Sequence, residues 1–463
     1  MYQLNNFKFP KNFAFGVTDA DAQVMGEKFA IEKENAEPSI WQKFSKLPGK
    51  VYQNQTNDIA IDRYHRWKED IEWMKKLGVK HYRTSVSMSR VMTRDRKPNK
   101  KALEWYATYF KALKKAGISV YATLYHWELP QYLSEKGGWK NRETADYLVD
   151  HAKIVYTYLN EFIKEYYILN EPFQSTFESY HNGVHAPGET NLKGALAAIH
   201  HILLGQGMVF RALKEMDKNV RLSTVYNTTI TYAASSEPDD IKAAAYGFGY
   251  KTHMFTDPLY RGKYPEYMME LFGDKMPKIE SGDMETIKIG AGLEAFGLNF
   301  YKGQVMQYDP QAELKFKEVR YPQGIKNGMD WPVMIQPTYP EALYEMLKKL
   351  YDMYGSWGMK KIVIPESGTC WPDAVEKDGK VPDEFRIFYI REHLRQVAKA
   401  ILAGVPVTGY FVWTLMDNFE WDLAYNPNSS FGLIYIDREH DLKRIPKDSF
   451  FWYKEIIKTN KII

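Results

Sequence analysis

The chain has 463 residues, enough to bury a sizeable core, and its 62 basic and 58 acidic residues leave a formal net charge of +4. That balance gives no electrostatic case for nucleic acid or an anionic membrane as partner. The single cysteine, Cys370, excludes an intramolecular disulfide, and no stretch approaches ~20 uninterrupted apolar residues, so no membrane span is expected. The opening MYQLNNFKFPKNFAFG has no basic segment followed by an apolar run and a cleavage site, which points to a cytoplasmic protein. Aromatic residues are abundant (12 Trp, 34 Tyr, 24 Phe); most must pack a core, but such rings also build stacking walls for the apolar face of a sugar.

In chain order, a strand over Phe13–Val17 leads into a long connection, residues 18–57. Asp58 is placed to cap a helix whose apolar face is Tyr64, Trp67, Ile71 and Met74, ended by Gly78. The strand His81–Val86 follows, and then the densest basic cluster, Arg90, Arg94, Arg96, Lys97, Lys100 and Lys101, which reads as a solvated loop entering a helix. That helix carries Leu103, Tyr106, Phe110 and Leu113 on one face and ends at Gly117. Strands are expected next at Val120–Trp127, Tyr166–Glu171, Leu222–Thr228 and Phe296–Tyr301. A long connection over residues 303–339 precedes the strand Ile362–Glu366. A helix with Ile387, Ile390, Leu394, Val397 and Ile401 on one face ends before Gly404, and the strand Tyr410–Leu415 opens a third long connection, residues 416–446. Eight strands alternating with helices, without a linker, predict an α/β fold: one (β/α)8 TIM barrel domain over residues 1–463 with long βα loops.

Barrel enzymes carry their chemistry at the C-terminal ends of the strands, and here those ends are polar. Gln23 follows the first strand and Arg83 lies in the second. His126 ends the third, Asn170 and Glu171 the fourth, Asn227 the fifth, Asn299 and Tyr301 the sixth, and Glu366 the seventh; the eighth leads to Asp417, Glu420 and Trp421. Two carboxylates terminating buried strands permit a division of labour, one ionised as nucleophile and one protonated as acid, which glycoside hydrolysis requires. The alternative from spacing alone is a structural pair of carboxylates salt-bridged to Arg83. His200-His201 are adjacent and face different sides of a helix, so they suit a metal poorly. Gly290-Ala-Gly292 imitates a dinucleotide loop but precedes a strand, and Cys370 has no evident base.

At these residues the chain resembles glycoside hydrolase family 1, the β-glucosidase-like enzymes. The likeness runs from Phe9–Gly16 to Pro446–Lys454. It is carried by Leu124-Tyr-His-Trp-Glu-Leu-Pro-Gln131, Leu169-Asn-Glu-Pro172, Gly297-Leu-Asn-Phe-Tyr301 and Trp413-Thr-Leu-Met-Asp-Asn-Phe-Glu-Trp421, with weaker matches at Tyr180-His-Asn-Gly183 and His185-Ala-Pro-Gly188. The resemblance implies retaining hydrolysis of β-linked neutral sugars (glucoside, galactoside or fucoside). Glu171 would be the acid/base and Glu366 the nucleophile, supported by Arg83, Asn170 and Tyr301. Gln23, His126, Trp127, Glu420 and Trp421 would bind the glycone over Trp413, with Phe431 in the closing loop and Asn227 and Asn299 in support. It implies no metal or organic cofactor and a small-molecule β-glycoside as the partner, and leaves homo-oligomerisation open.

Four departures from the family pattern stand out. The nucleophile is flanked as Pro365-Glu366-Ser367-Gly368, Gln23-Val-Met25-Gly replaces the usual Gln-Ile-Glu-Gly, Met88 stands for a tryptophan, and Ser430 precedes Phe431-Gly432 where an arginine is usual. The competing expectation they raise is a sugar-binding barrel that is weakly active or inactive.

Overall fold

The computed structural model describes residue 4 and residues 6–320, 329–330 and 337–463. Eight parallel strands close into a barrel: β1 (Ala14–Thr18), β2 (His81–Ser85), β3 (Ser119–Tyr125), β4 (Ile163–Asn170), β5 (Leu222–Tyr226), β6 (Phe296–Leu298), β7 (Ile362–Ser367) and β8 (Val407–Trp413). Each pairs with its neighbours in sequence, and β1 closes the ring on β8 with Val17 opposite Val412. The eight expected strands all form, with bounds shifted by a few residues. His126, Glu171, Asn227, Asn299 and Tyr301 therefore lie just past the strand ends, where Glu171 and Asn299 still donate their amides to the neighbouring strand. At the opposite end the lumen is plugged by Tyr121, Tyr167, Val225, Ala295, Val363 and Phe411.

Helices pack around the barrel: α1 (Arg63–Leu77), α2 (Lys100–Lys115), α3 (Thr144–Leu159), α4 (Leu192–Met216), α5 (Met254–Arg261), α6 (Glu341–Tyr354), α7 (Glu384–Leu402) and α8 (Asp448–Thr459). The predicted faces of α1, α2 and α7 turn inward, but α1 is capped by Asp62, whose side chain accepts from the His65 amide, and not by Asp58. α1 also buries charge: Arg63 pairs with Asp70 at 2.5 Å and Asp19 at 3.0 Å and bonds the Tyr82 hydroxyl. α4 is long and apolar enough to cross a membrane, yet most of it is buried against α3 and the barrel, as in a core helix.

The long connections are structured. Residues 18–57 carry three short α-helices, Asp21–Val24, Glu27–Glu34 and Ile40–Phe44, and a 3-10 turn at Tyr52–Asn54. The third long connection holds the hairpin Ile434–Asp437 with Lys443–Pro446. The second begins with Gln304–Tyr308, the middle strand of a small sheet between Thr231–Ala233 and Phe316–Val319; residues 321–328 and 331–336 lie outside those described. The basic cluster is not wholly solvated. Arg90 is buried and pairs with Asp21 at 2.9 Å and Glu34 at 2.8 Å, because the first connection folds back over it.

Candidate active site

β4 ends at Asn170, and Glu171 follows with φ +46°, its amide donating to the Val225 carbonyl at 2.7 Å. Strand alternation would send neighbouring side chains to opposite faces; the left-handed backbone at Glu171 breaks it, so both Asn170 and Glu171 reach the same pocket. Glu366 arrives differently. Pro365 has no N–H for the ladder, and the β7–β8 register shifts between Ile362 and Ile364 and again before Ser367. Gly368 is required where the turn begins, since a Cβ there would lie 2.0 Å from the Trp413 carbonyl oxygen.

One guanidinium ties the strand ends together. Arg83 donates to Glu366 Oε1 at 2.5 Å, to Asn170 Oδ1 at 2.7 Å and to Thr123 Oγ1 at 2.9 Å, and lies over the Tyr167 ring. The Tyr301 hydroxyl donates to Glu366 Oε2 at 3.1 Å. Among the described residues no cation pairs with Glu171: Oε1 accepts from Asn299 Nδ2 at 2.6 Å, and that amide also reaches Asn170 Oδ1 at 3.0 Å. Asn170 Nδ2 in turn meets His126 Nε2 at 3.0 Å. Because an amide nitrogen only donates, His126 Nε2 must accept; burial and the nearby Arg83 keep the imidazole neutral.

These surroundings separate two chemically identical groups. Burial, reinforced by the charge of Glu366, pushes Glu171 up to about 8, against the weaker pull of Asn299. Burial also raises Glu366, but the Arg83 guanidinium and the Tyr301 hydroxyl oppose it, so of the pair Glu366 ionises first. The Asn299 amide, bonded to Glu171 Oε1 at 2.6 Å, also helps to offset the effect of burial on Glu366.

The pocket wall is aromatic. Trp127 and Trp421 pack with centroids 4.7 Å apart, and His126 stacks on Trp421 at 6.0 Å. The Trp413 indole donates to Glu420 Oε1 at 3.1 Å, and Gln23 donates to the Phe419 carbonyl at 2.8 Å and to Glu420 Oε2 at 3.4 Å. Burial pushes Glu420 up to about 8. Phe431 meets the Tyr301 ring edge-on. Every expected site residue thus converges here: Gln23, Arg83, Asn170 and Asn299 brace the site, and Asn227 lines the cavity with the rest.

Sequence reasoning missed several contributors. Gln174, Asp422 and Leu423 also line the cavity, as does His185, noted only within a weaker motif. Behind the wall, fully buried Trp41 donates to the Trp127 carbonyl at 3.1 Å, and the Trp127 indole donates to the Asn170 carbonyl at 3.1 Å. The segment that carries Trp41 is pinned by Ile40 N to the Leu129 carbonyl and Gln131 N to the Pro38 carbonyl.

The departures fall outside the reacting atoms. Met25 and Met88 are buried and absent from the cavity lining. Beside the Phe431 loop, Arg386 donates to the Ser430 carbonyl at 2.7 Å and pairs with Asp373 at 2.7 Å, while Lys447 joins Asp373 and Asp417. His200 bonds Asp283 at 2.8 Å and His201 the Trp139 carbonyl, so the two rings do face apart. The Cys370 thiol is buried and pushed up to about 12, which leaves it inert as a nucleophile.

The sequence model of glycosyl hydrolase family 1 matches residues 5–462. The chain is 37% identical to beta-glucosidase A of Thermotoga maritima over 99% of both chains. It is 36% identical to the bifunctional beta-D-glucosidase/beta-D-fucosidase of Bifidobacterium breve, over 97% of this chain and 98% of that one. A solved family 1 β-glucosidase from Thermotoga maritima superposes with a TM-score of 0.91 at 35% identity, covering 99% of this chain and 100% of the other, and a structure of it with isofagomine lactam matches equally well.

Proposed function

The chain belongs to glycosyl hydrolase family 1 and is a retaining O-glycosyl hydrolase of the β-glucosidase kind, and from that membership we propose that Glu366 is its nucleophile and Glu171 its acid/base. The observation that carries the assignment is the unequal setting of the two carboxylates. Glu366 is clamped by Arg83 and Tyr301, which stabilise the anion, whereas Glu171 sits among neutral donors and holds its proton to about 8.

In the first step Glu366 attacks the anomeric carbon while Glu171 gives its proton to the leaving oxygen, forming a covalent glycosyl-enzyme. Esterification removes the negative charge beside Glu171, so its pKa falls and it becomes the base that activates water for the second step. Two inversions at the anomeric carbon return the β-anomer.

The glycone we propose is a neutral hexose of the gluco or fuco type, the sugars named for the relatives. Among the described residues, no Lys or Arg lines the cavity to receive a phosphate. Glu420, held largely protonated at neutral pH, can donate to one sugar hydroxyl while it accepts from Trp413. Nothing in the arrangement favours a sugar-binding barrel without activity, since both carboxylates keep their reacting oxygens in the cavity.

A 2-deoxy-2-fluoro β-glycoside with a good leaving group tests the assignment. Its fluorine slows both steps, so the glycosyl-enzyme accumulates and peptide mass spectrometry locates the ester. The label is expected on Glu366; a label on any other residue, or an α-anomer as first product by NMR, would falsify the mechanism.

A further inference from the structure

Past Glu171 the cavity opens into a second cleft, of which Gln174, Asn227 and Tyr301 form part of both walls. At its base is Lys251, only 17% exposed, with its ammonium 3.6 Å from the Phe173 ring centroid. Glu178 Oε1, at 3.9 Å, is within ion-pair range but beyond a hydrogen bond, and among the described residues the ammonium has no hydrogen-bond partner. A lysine ammonium has three donors and is strongly hydrated in water, so burying it without acceptors is unfavourable unless something else supplies them. Burial accordingly holds Lys251 below the usual lysine range. The neighbouring charges are already matched: Lys302 and Gln304 bond Glu318 at 3.0 and 2.6 Å, and Arg320 is itself engaged.

An acid that protonates the glycosidic oxygen must have the leaving group on its own side, so this cleft is the space into which that group extends. Its described lining is mainly amide, hydroxyl and charged side chains, with Val319 as its one aliphatic residue and Tyr301 as its one aromatic ring. We propose that Lys251 is a specificity-determining donor to the oxygens of the leaving group, so that a second sugar is preferred there over an apolar alcohol or phenol. A second pyranose offers hydroxyls that accept from Lys251 and donate to Gln174 and Glu178. An apolar leaving group would leave the Lys251 ammonium and the buried Gln174 amide oxygen without hydrogen-bond partners. The near balance of charge argues for a neutral sugar over an anionic group.

The inference rests on Glu171 as the acid. Its test compares kcat/KM on a β-linked glucose disaccharide and on an aryl β-glucoside, for the wild type, Lys251→Met and Lys251→Arg. Methionine keeps the apolar stem over Phe173 and removes only the charge and donors. The expected result is a loss at least tenfold larger on the disaccharide than on the aryl substrate in Lys251→Met, partly restored in Lys251→Arg. Equal losses on both substrates overturn the proposal, as does wild-type preference for a carboxyphenyl β-glucoside. Should Lys251→Met fail to fold, acceptor partitioning in the wild type decides: added glucose must intercept the glycosyl-enzyme at least tenfold better than propanol at equal concentration, and no preference overturns the idea. The underlying assignment fails separately, if Glu171→Gln loses activity equally on good and poor leaving groups.

Discussion

The ends of β4 and β7 present the same side chain in opposite ways. At β4 the backbone is unusual (φ +46° at Glu171) and the partners are neutral amides, whereas at β7 a proline interrupts the ladder and the partners are a guanidinium and a phenol. The family motif is intact at β4 and altered at β7, yet the altered end holds the stronger electrostatic clamp. What distinguishes an acid from a nucleophile here is therefore the charge facing each group from β2, a strand distant in sequence from both, and not the residues flanking it.

Glu366→Gln should collapse this contrast most severely. It removes the reacting oxygen, so kcat on aryl β-glycosides should fall by about 10⁴-fold or more whatever the leaving group. In the same variant Glu171 loses its like-charged neighbour, and carboxyl-carbon NMR should find its pKa well below about 8. Glu171→Gln comes next: a loss of about 10²- to 10⁴-fold on poor leaving groups, a much smaller one on dinitrophenyl glycosides, and rescue by azide as the β-glycosyl azide.

Smaller probes sharpen the comparison. Tyr301→Phe removes a donor that favours ionised Glu366, so kcat/KM should drop about tenfold and its acid limb should move to higher pH. The alkaline limb, near 8, belongs to protonated Glu171: the first step needs that proton, and activity is lost as pH rises through this value. An acid limb that stays put in Tyr301→Phe would break the link between clamp and ionisation. Trp41→Phe cuts the relay through Trp127 to the Asn170 carbonyl and should cost about fivefold in kcat, more on poor leaving groups than on good ones. Pro365→Thr should change kcat by less than about threefold, because the proline touches neither carboxylate and its exchange trades a ladder donor against chain entropy.

Much of the barrel was legible because apolar runs of strand length alternate with amphipathic stripes, and each run ends in a polar residue that a core would not choose. The pocket followed from those same endings. What stayed hidden shares a physical cause: a buried ion pair and a solvated charge look alike in sequence. Arg63, Arg90 and Arg386 were unreadable for that reason, and the cap at Asp62 was misplaced by four residues because Asp58 and Asp62 are the same residue type beside one helix. Trp41 and Gln174 reach the site through loop geometry, which leaves no periodic trace. Pro365 taken alone argues against a barrel strand, yet the strand expected at Ile362–Glu366 forms around it.

The closure of β1 on β8 has a consequence for how the protein comes into being. A ribosome delivers the acid strand β4 well before Trp413, Glu420 and the Lys447 that anchors Asp417. Until then the ring has two unpaired edges and the sugar pocket has no far wall. A nascent chain can therefore carry both glutamates without any competence to cleave until β8 docks against β1.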